Sequence, residues 1–227
     1  MSIRRLESAY QILPKNMRKK EKVKEYVKQA KELFKLNAKI RDFDIICTNM
    51  ELRYPDKTRD LISSLKNSRI EQVKNANKLA LKVSRLEIPK ITRSDIKKSK
   101  LEKRYRKIID NTILDIHRNS IISLGDERKI SELHALRKSF KKLRYSLELV
   151  SDRKAMDHHL QNFKNIQDTL GEIHDMDIII DHLRSIDKNS TYSEIISAEI
   201  LHRSKKYNAF VTAFKKNSKV INFDLQF

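Results

Sequence analysis

The sequence predicts an all-α protein in which two antiparallel four-helix bundles form a pseudo-twofold tandem repeat around a central basic groove or pore. Three observations support this fold class. The 227 residues include only two Gly and three Pro, too few turn-forming residues for a β architecture. Apolar residues recur every three or four positions along most of the chain, as on one face of a helix. Two segments of the first half recur in the same order in the second half.

The elements of the first half follow from apolar spacing and from residues that mark helix ends. Pro14 ends a short amphipathic helix, Asn16 is expected to cap the next one, and Pro55 precedes the last. We expect helical segments over 1–13, 16–36, 38–53 and 57–85. Pro89 marks the boundary between the halves. The expected organisation is an N-terminal half at 1–88, a linker at 89–94 and a C-terminal half at 95–227, which together form one domain.

The second half is divided by the same kinds of residue. Ser94 and Asp126 are expected to cap helices, whereas Gly125 and Gly171 are expected to interrupt them. The expected helices are 95–120, a basic helix containing 134–150, 154–170, 172–186 and 192–216. The tail 220–227 alternates in hydropathy and is expected to pack as an extended segment.

The internal repeat pairs two short motifs. Ser2–Leu6 aligns with Ser139–Leu143, and Ile40–Ile46 aligns with Ile173–Ile179. Because both motifs recur in the same order, we interpret the chain as a tandem duplication. The basic residues of the two halves would then meet across a pseudo-twofold axis and line one groove or pore.

The basic helix carries the functional argument. Its apolar residues at helical spacing are expected to face the core; they are Leu133, Leu136, Phe140, Leu143, Leu147 and Val150. The opposite face and its flanks carry His134, Arg137, Lys138, Lys141, Lys142, Arg144 and Tyr145. Glu148 is the only acid between positions 134 and 150, so these like charges repel unless an anion lies beside them. A merely solvated basic face is the simpler alternative.

The composition points to a polyanionic partner. Fifty Lys and Arg against thirty Asp and Glu give a net charge of +20, which destabilises a compact fold unless a polyanion relieves it. The candidate partners are nucleic acid, an anionic membrane surface and a phosphate polymer. The membrane surface is disfavoured because the apolar faces of the helices are expected in the core, which leaves no apolar face to contact lipid.

The single Cys47 excludes an internal disulfide and is expected in the core.

Several functional classes are disfavoured. No run reaches the ~18 apolar residues of a membrane span, and the first residues lack the apolar core of a signal peptide, so we expect a cytoplasmic protein. The sequence has no Gly-rich phosphate loop, nucleophile elbow or Cys/His zinc spacing. These absences favour a binding module over a nucleotide enzyme.

Two motifs of the second half resemble the conserved-histidine α-helical domain, known as CHAD. The first motif is matched by His134, Arg137, Lys141, Lys142, Leu143 and Arg144, and the second by Leu170–Ile178. The N-terminal copy matches at Ile3–Leu6 and Ala38–Ile45, so the resemblance covers nearly the whole chain. Met1 stands beyond the place of the first copy's histidine, which is therefore missing. Either the first helix is shortened or the true start lies upstream.

The resemblance implies a module that binds inorganic polyphosphate in a basic groove between two helical bundles, without hydrolysis, cofactor or metal. The implied binding residues are Arg4, Arg5, His134, Arg137, Lys138, Lys141, Lys142, Arg144 and Tyr145, with Arg69 and Arg203 as a weaker pair matched by the repeat. Polyphosphate granules become an expected location within the cytoplasm, and polyphosphate-metabolising enzymes become candidate partners.

The chemistry of this ligand agrees with the basic face. A polyphosphate chain offers charge and acceptor oxygens but no bases, so Arg can fork onto two oxygens while Lys acts as a point charge. Proteins that bind single-stranded nucleic acid usually interleave aromatic side chains with their bases, and Tyr145 is the only aromatic residue on this face. Nucleic-acid binding through the same surface stays as an alternative. His134 is expected either to contact the anion or to make a structural hydrogen bond.

A metal-dependent phosphohydrolase is the second alternative. His174–Asp175 looks like the metal-binding doublet of HD-type phosphohydrolases. The residues that would complete a divalent site are Asp177, His158, His159 or His182. Arg41–Asp42 occupies the same place in the first copy, however, and Arg is not a metal ligand. We therefore expect structural roles, as hydrogen-bond acceptors or as partners of bases on a neighbouring helix, for Asp42, Asp44, Asp175 and Asp177.

Overall fold

The computed structural model describes residues 3–92, 96–149 and 153–216, apart from the side chains of 153–159. All regular secondary structure in these residues is helical, which confirms the all-α class. The helices are α1 (Ile3–Ile12), α2 (Lys15–Arg18), α3 (Glu21–Arg53), α4 (Arg59–Ser84), α5 (Lys98–Ser123), α6 (Ile130–Leu147), α7 (Arg153–Ile186) and α8 (Ser193–Lys216). In this described part of the chain, no helix has an apolar stretch long enough to cross a bilayer.

Contacts divide the chain into an N-terminal unit (Met1–Arg106) and a C-terminal unit (Lys107–Phe227). In the N-terminal unit, α1 and α2 pack on α3, and α3 packs along α4. In the C-terminal unit, α6 and α8 both pack on α7. The division falls inside α5, after the segment 89–94 that the sequence marks as a linker. The pseudo-twofold relation of two bundles and the groove between them stay predictions.

Two long helices are continuous where the sequence predicts a break. α3 runs through residues 36–38, and α7 runs through Gly171. A single Gly in a helix costs only about 1 kcal/mol, whereas burial of Leu170 and Ile173 on either side of Gly171 contributes about 1.5–3 kcal/mol for each side chain. Neither helix contains Pro, and α3 also buries apolar residues before and after 36–38. Both predicted breaks are therefore wrong.

Two predicted helix caps are wrong as well. α2 begins at Lys15 directly after Pro14, whose φ of −55° suits the start of a helix, so Asn16 lies inside α2. The carboxylate of Asp126 accepts a hydrogen bond from the backbone N–H of Arg128 at 2.9 Å and from its guanidinium Nε at 3.0 Å. Asp126 thus closes the turn before α6, and α6 itself has no side-chain cap.

The apolar seam of α6 holds the C-terminal unit together. Its buried members are Leu133, Leu136, Phe140, Leu143 and Leu147, as predicted. The ring centroid of Phe140 lies 6.1 Å from that of Phe163 on α7 and 6.2 Å from that of Phe214 on α8. The side-chain amide of Gln167 donates to the Phe140 carbonyl at 3.2 Å. These contacts fix α6 against both neighbouring helices. Outside the described residues lie Val150, Ser94 and the tail 220–227.

Candidate functional site

The basic residues of α6 do not all face solvent. Lys138 is exposed, and the half-buried members are His134, Lys141, Lys142, Arg144 and Tyr145. Arg137 is only 9% exposed, so its expected position on an outer face is wrong. The physical reason is that α7 packs on α6.

A polar cluster joins α6, α7 and α8 within the C-terminal unit. The Asp177 carboxylate, 2% exposed, lies at its centre. Its Oδ2 lies 3.0 Å from His134 Nε2, and its Oδ1 accepts a hydrogen bond from Arg203 Nε. Nδ1 of His174 lies 2.8 Å from the same Nε2 of His134, and the two rings meet edge to face with centroids 4.3 Å apart. We call His134, His174, Asp177 and Arg203 the histidine cluster.

The helices explain why these four side chains meet. His174 and Asp177 are three residues apart on α7 and therefore project to the same side. α6 brings His134 to that side, and α8 brings Arg203. The sequence identified all four residues but not their mutual contacts. The repeat contained a usable signal, because the matched arginines Arg69 and Arg203 occur together with matched aspartates.

Electrostatics keep His174 neutral. Burial lowers the pKa of His174 from 6.5 to about 3, and the nearby charges of Arg137 and Lys141 add to this effect, as does His134. The Asp177 carboxylate acts in the opposite direction but does not compensate. The His174 imidazole is thus uncharged near neutral pH and can act as a hydrogen-bond donor at one nitrogen and an acceptor at the other.

The N-terminal unit contains a corresponding but open ion pair. Arg69 Nε of α4 lies 2.5 Å from Asp44 Oδ1 of α3, with the two side chains 41% and 49% exposed. Arg41, which aligns with His174, is exposed. The pair in this unit is therefore more accessible to water than Asp177 and Arg203, whose side chains are 2% and 8% exposed.

The other predicted basic residues lie in separate surroundings. Arg5 is exposed, and the Arg4 guanidinium lies 5.5 Å from the ring centroid of Phe34 on α3, a favourable cation–π distance. Arg144 pairs with Glu148 at 3.2 Å and lies 4.8 Å from the ring centroid of Tyr145. Glu148, the only acid between positions 134 and 150, thus already neutralises one of these cations.

The predicted structural aspartates differ in burial. Asp177 is buried, Asp44 is exposed, and Asp42 and Asp175 are half-buried. Asp44 and Asp177 each bind an Arg of the neighbouring helix. Asp175 is not part of the histidine cluster.

A metal ion is the obvious candidate ligand for two imidazoles and a carboxylate. Ligand atoms of His134, His174 and Asp177 lie within 4.8 Å of one another. Their surroundings do not suit a cation, however, because Arg203 already occupies one oxygen of Asp177, and Arg137 adds a further buried positive charge. We therefore do not assign these atoms as metal ligands.

The other histidines considered for a metal site do not extend the cluster. His182 is half-buried, and burial lowers the pKa of its imidazole. The side chains of His158 and His159 lie outside the described residues.

The comparisons with known proteins identify the family. A family model described as the CHAD domain matches residues 1–184. No curated protein and no solved structure matches the chain. The matched region contains α1 to α6 and most of α7, including His134, His174 and Asp177. The chain therefore belongs to the CHAD domain family.

Proposed function

We propose that this protein binds inorganic polyphosphate on Lys and Arg side chains and does not hydrolyse it. The observation that carries the proposal is the charge distribution of α6. Between His134 and Leu147 this helix carries five cationic side chains and no acid, and Arg137 is held at 9% exposure. Side chains in such surroundings strengthen one another's attraction for an anion, because a partly dry site screens charge less than water does.

A phosphate polymer suits this surface better than a compact anion. The basic residues of α6 extend from Arg137 to Arg144, which are seven residues apart, and a helix rises about 1.5 Å per residue. The cations therefore spread over roughly 10 Å along the helix axis. A linear chain of phosphates can contact several of them at once, whereas a single orthophosphate cannot.

The N-terminal unit contributes further candidates to this proposal. Arg4 and Arg5 align with Lys141 and Lys142 of α6, and Arg5 is exposed. We propose that these two arginines also bind polyphosphate. Arg69 and Arg203 act differently from the other candidates, since each donates Nε to an aspartate. We assign them the role of orienting the neighbouring acidic group.

The choice of polyphosphate over nucleic acid rests on aromatic content. Aromatic residues make up 7% of the chain, and the Tyr145 ring already contacts the Arg144 guanidinium. Base stacking, which supplies much of the affinity for single-stranded nucleic acid, therefore has little surface here. The same charges would still attract nucleic acid non-specifically.

Titration with fluorescent long-chain polyphosphate at several salt concentrations tests the proposal. We expect tight binding whose affinity falls steeply with salt, because counterions are released from the polymer, as they are from nucleic acids. Orthophosphate and single-stranded DNA should displace the polymer poorly. Equal displacement by DNA at matched charge concentration would mean that the surface recognises charge alone, and the proposal would be wrong.

A second assay tests the absence of hydrolysis. Polyphosphate incubated with the protein and Mg²⁺ or Mn²⁺ should release no orthophosphate above the rate without protein. Metal-dependent release that is lost in Asp175→Ala would instead support the phosphohydrolase alternative built on His174 and Asp175.

A further inference from the structure

The contacts of His134 determine where its proton lies. Nε2 of His134 faces two atoms, Asp177 Oδ2 at 3.0 Å and His174 Nδ1 at 2.8 Å. Asp177 forms an ion pair with the Arg203 guanidinium and is therefore a carboxylate, so its Oδ2 can only accept a hydrogen bond. Two lone pairs 3.0 Å apart would repel, so the proton of a neutral His134 must lie on Nε2. This N–H is then shared between Asp177 and His174.

The same reasoning fixes His174. Because its Nδ1 faces an N–H, His174 must accept there and carry its own proton on Nε2. The pKa of His174, lowered to about 3 by burial and by the Arg137 charge, means that this ring does not gain a second proton near neutral pH. His174 and Asp177 together therefore hold His134 in a single tautomer.

The other nitrogen of His134 is left for a ligand. Nδ1 has no hydrogen-bond partner among the described residues and is not one of the enclosed polar atoms. The side chain as a whole is 26% exposed. In the neutral ring this Nδ1 carries a lone pair, which repels phosphate oxygens. Only the protonated imidazolium presents an N–H to them.

We propose that binding of polyphosphate is accompanied by uptake of a proton at Nδ1 of His134, so that the affinity rises as the pH falls. Asp177 and His174 are positioning residues in this mechanism, because they reserve Nδ1 for the ligand. The inference rests on the proposed polyphosphate-binding function and adds a pH-dependent control to it.

The charges around His134 set the direction of the effect. Arg137 and Lys141 lie on α6, His174 and Asp177 on α7, and Arg203 on α8. A bound polyanion attracts the additional positive charge of the imidazolium, which lies among these cations. The complex therefore binds the proton more tightly than the free protein does. By linkage, proton uptake on binding means stronger binding at lower pH.

The charge of the polymer itself contributes little to the expected pH dependence of binding. Terminal phosphates change charge near a pKa of about 6, whereas the internal phosphates of a long chain have no second proton to lose. Long-chain polyphosphate therefore keeps a nearly constant charge between about pH 6 and pH 8, and any change in affinity comes from the protein.

Isothermal titration calorimetry in buffers of different ionisation enthalpy measures the proton uptake directly. For the unmodified protein near pH 7, we expect a fractional uptake and an affinity that rises by at most about tenfold per pH unit, the limit for one proton. His134→Gln should bind more weakly at pH 6 and show a reduced slope. His117→Gln, which changes an exposed histidine of α5, should behave like the unmodified protein. Equal proton uptake in His134→Gln and the unmodified protein would overturn the proposal.

Two outcomes separate this inference from the proposed function. If polyphosphate does not bind at any pH, the proposed function fails; if it binds without proton uptake, only the inference fails. Imidazole ¹⁵N NMR of the free protein adds a test without any ligand. Near pH 8 we expect His134 and His174 in the Nε2–H form. An Nδ1–H form of His134 would overturn the inference even if the polymer binds.

Discussion

Asp177 and Arg203 form an ion pair between α7 and α8 in which the carboxylate side chain is 2% exposed and the guanidinium side chain 8%. Asp44 and Arg69 make the same Nε-to-Oδ1 contact between α3 and α4, but their side chains are 49% and 41% exposed. Each charge of a buried pair depends on its partner, because water no longer solvates it. A charge of an exposed pair is still solvated by water when its partner is removed. The chain thus contains an internal comparison for the energetic role of the buried pair.

This comparison predicts unequal effects of two matched substitutions. Asp177→Asn should lower the free energy of unfolding by about 3–5 kcal/mol, since it leaves the Arg203 charge buried without its counter-charge. Asp44→Asn should have a much smaller effect, because water already reaches the Arg69 guanidinium. Urea unfolding followed by circular dichroism measures both. Equal losses would show that burial does not determine the strength of these pairs.

Charge reversal on α6 should strongly weaken the proposed polyphosphate binding. Lys141→Glu combined with Lys142→Glu should weaken binding at least about tenfold. The slope of log affinity against log salt concentration should become shallower by about two, because two phosphate contacts are lost. Helicity should stay unchanged, because both side chains lie on the polar side of the helix.

A matched control separates the site from the overall charge. Lys74→Glu with Lys78→Glu changes the net charge equally on exposed positions of α4, and it should cost much less affinity. Fluorescence titration at fixed salt compares the two double variants. Similar losses in both would indicate that only the net charge of +20 matters.

Replacing the glycine inside α7 should stabilise the protein. A Cβ added at Gly171 meets nothing within 4 Å, and the residue does not have a positive φ. Gly171→Ala should therefore raise the free energy of unfolding by about 0.5–1 kcal/mol, through higher helix propensity and a less flexible unfolded chain. Thermal and urea unfolding test this. A loss of stability would contradict the open space around this position.

Acid should destabilise the protein partly through His174. The pKa of His174 is about 3 in the folded protein against 6.5 as its ordinary value, so the unfolded chain binds a proton that the folded chain excludes. Stability should therefore fall as the pH drops from about 6.5 towards 3. His174→Gln should show a shallower fall between about pH 7 and pH 5, whereas His117→Gln should not. An unchanged slope in His174→Gln would mean that this imidazole is not shielded from protons.

The histidine cluster should not behave as a zinc site. Since Arg203 and Arg137 place positive charge beside the two imidazoles, we expect excess Zn²⁺ to leave the melting temperature unchanged. Differential scanning calorimetry with and without the metal decides the question. A rise in melting temperature that disappears in His174→Ala would show that the cluster binds a cation after all.

The sequence predicted those features that depend on local spacing. The apolar seam of α6 was correct at Leu133, Leu136 and Phe140 because a buried helix face repeats with the helical period. The breaks expected near residue 37 and at Gly171 were wrong, because packing against a neighbouring helix outweighs weak local signals. Local propensity is worth about 1 kcal/mol per residue at most for such positions, and tertiary burial exceeds it.

The features of the candidate site also fall into those that the sequence predicted and those that only the packing of the helices determined. By itself the sequence determined the helical class, the family resemblance and the run of cations around Lys141 and Lys142, since each follows from helical spacing or from short motifs that can be compared along the chain. Only the tertiary structure decided that Arg137 is buried and that His134 faces Asp177, 43 residues further along. Those relations depend on how α6, α7 and α8 rotate against one another. Helical period fixes which residues share a face, but the packing of neighbouring helices determines which faces meet.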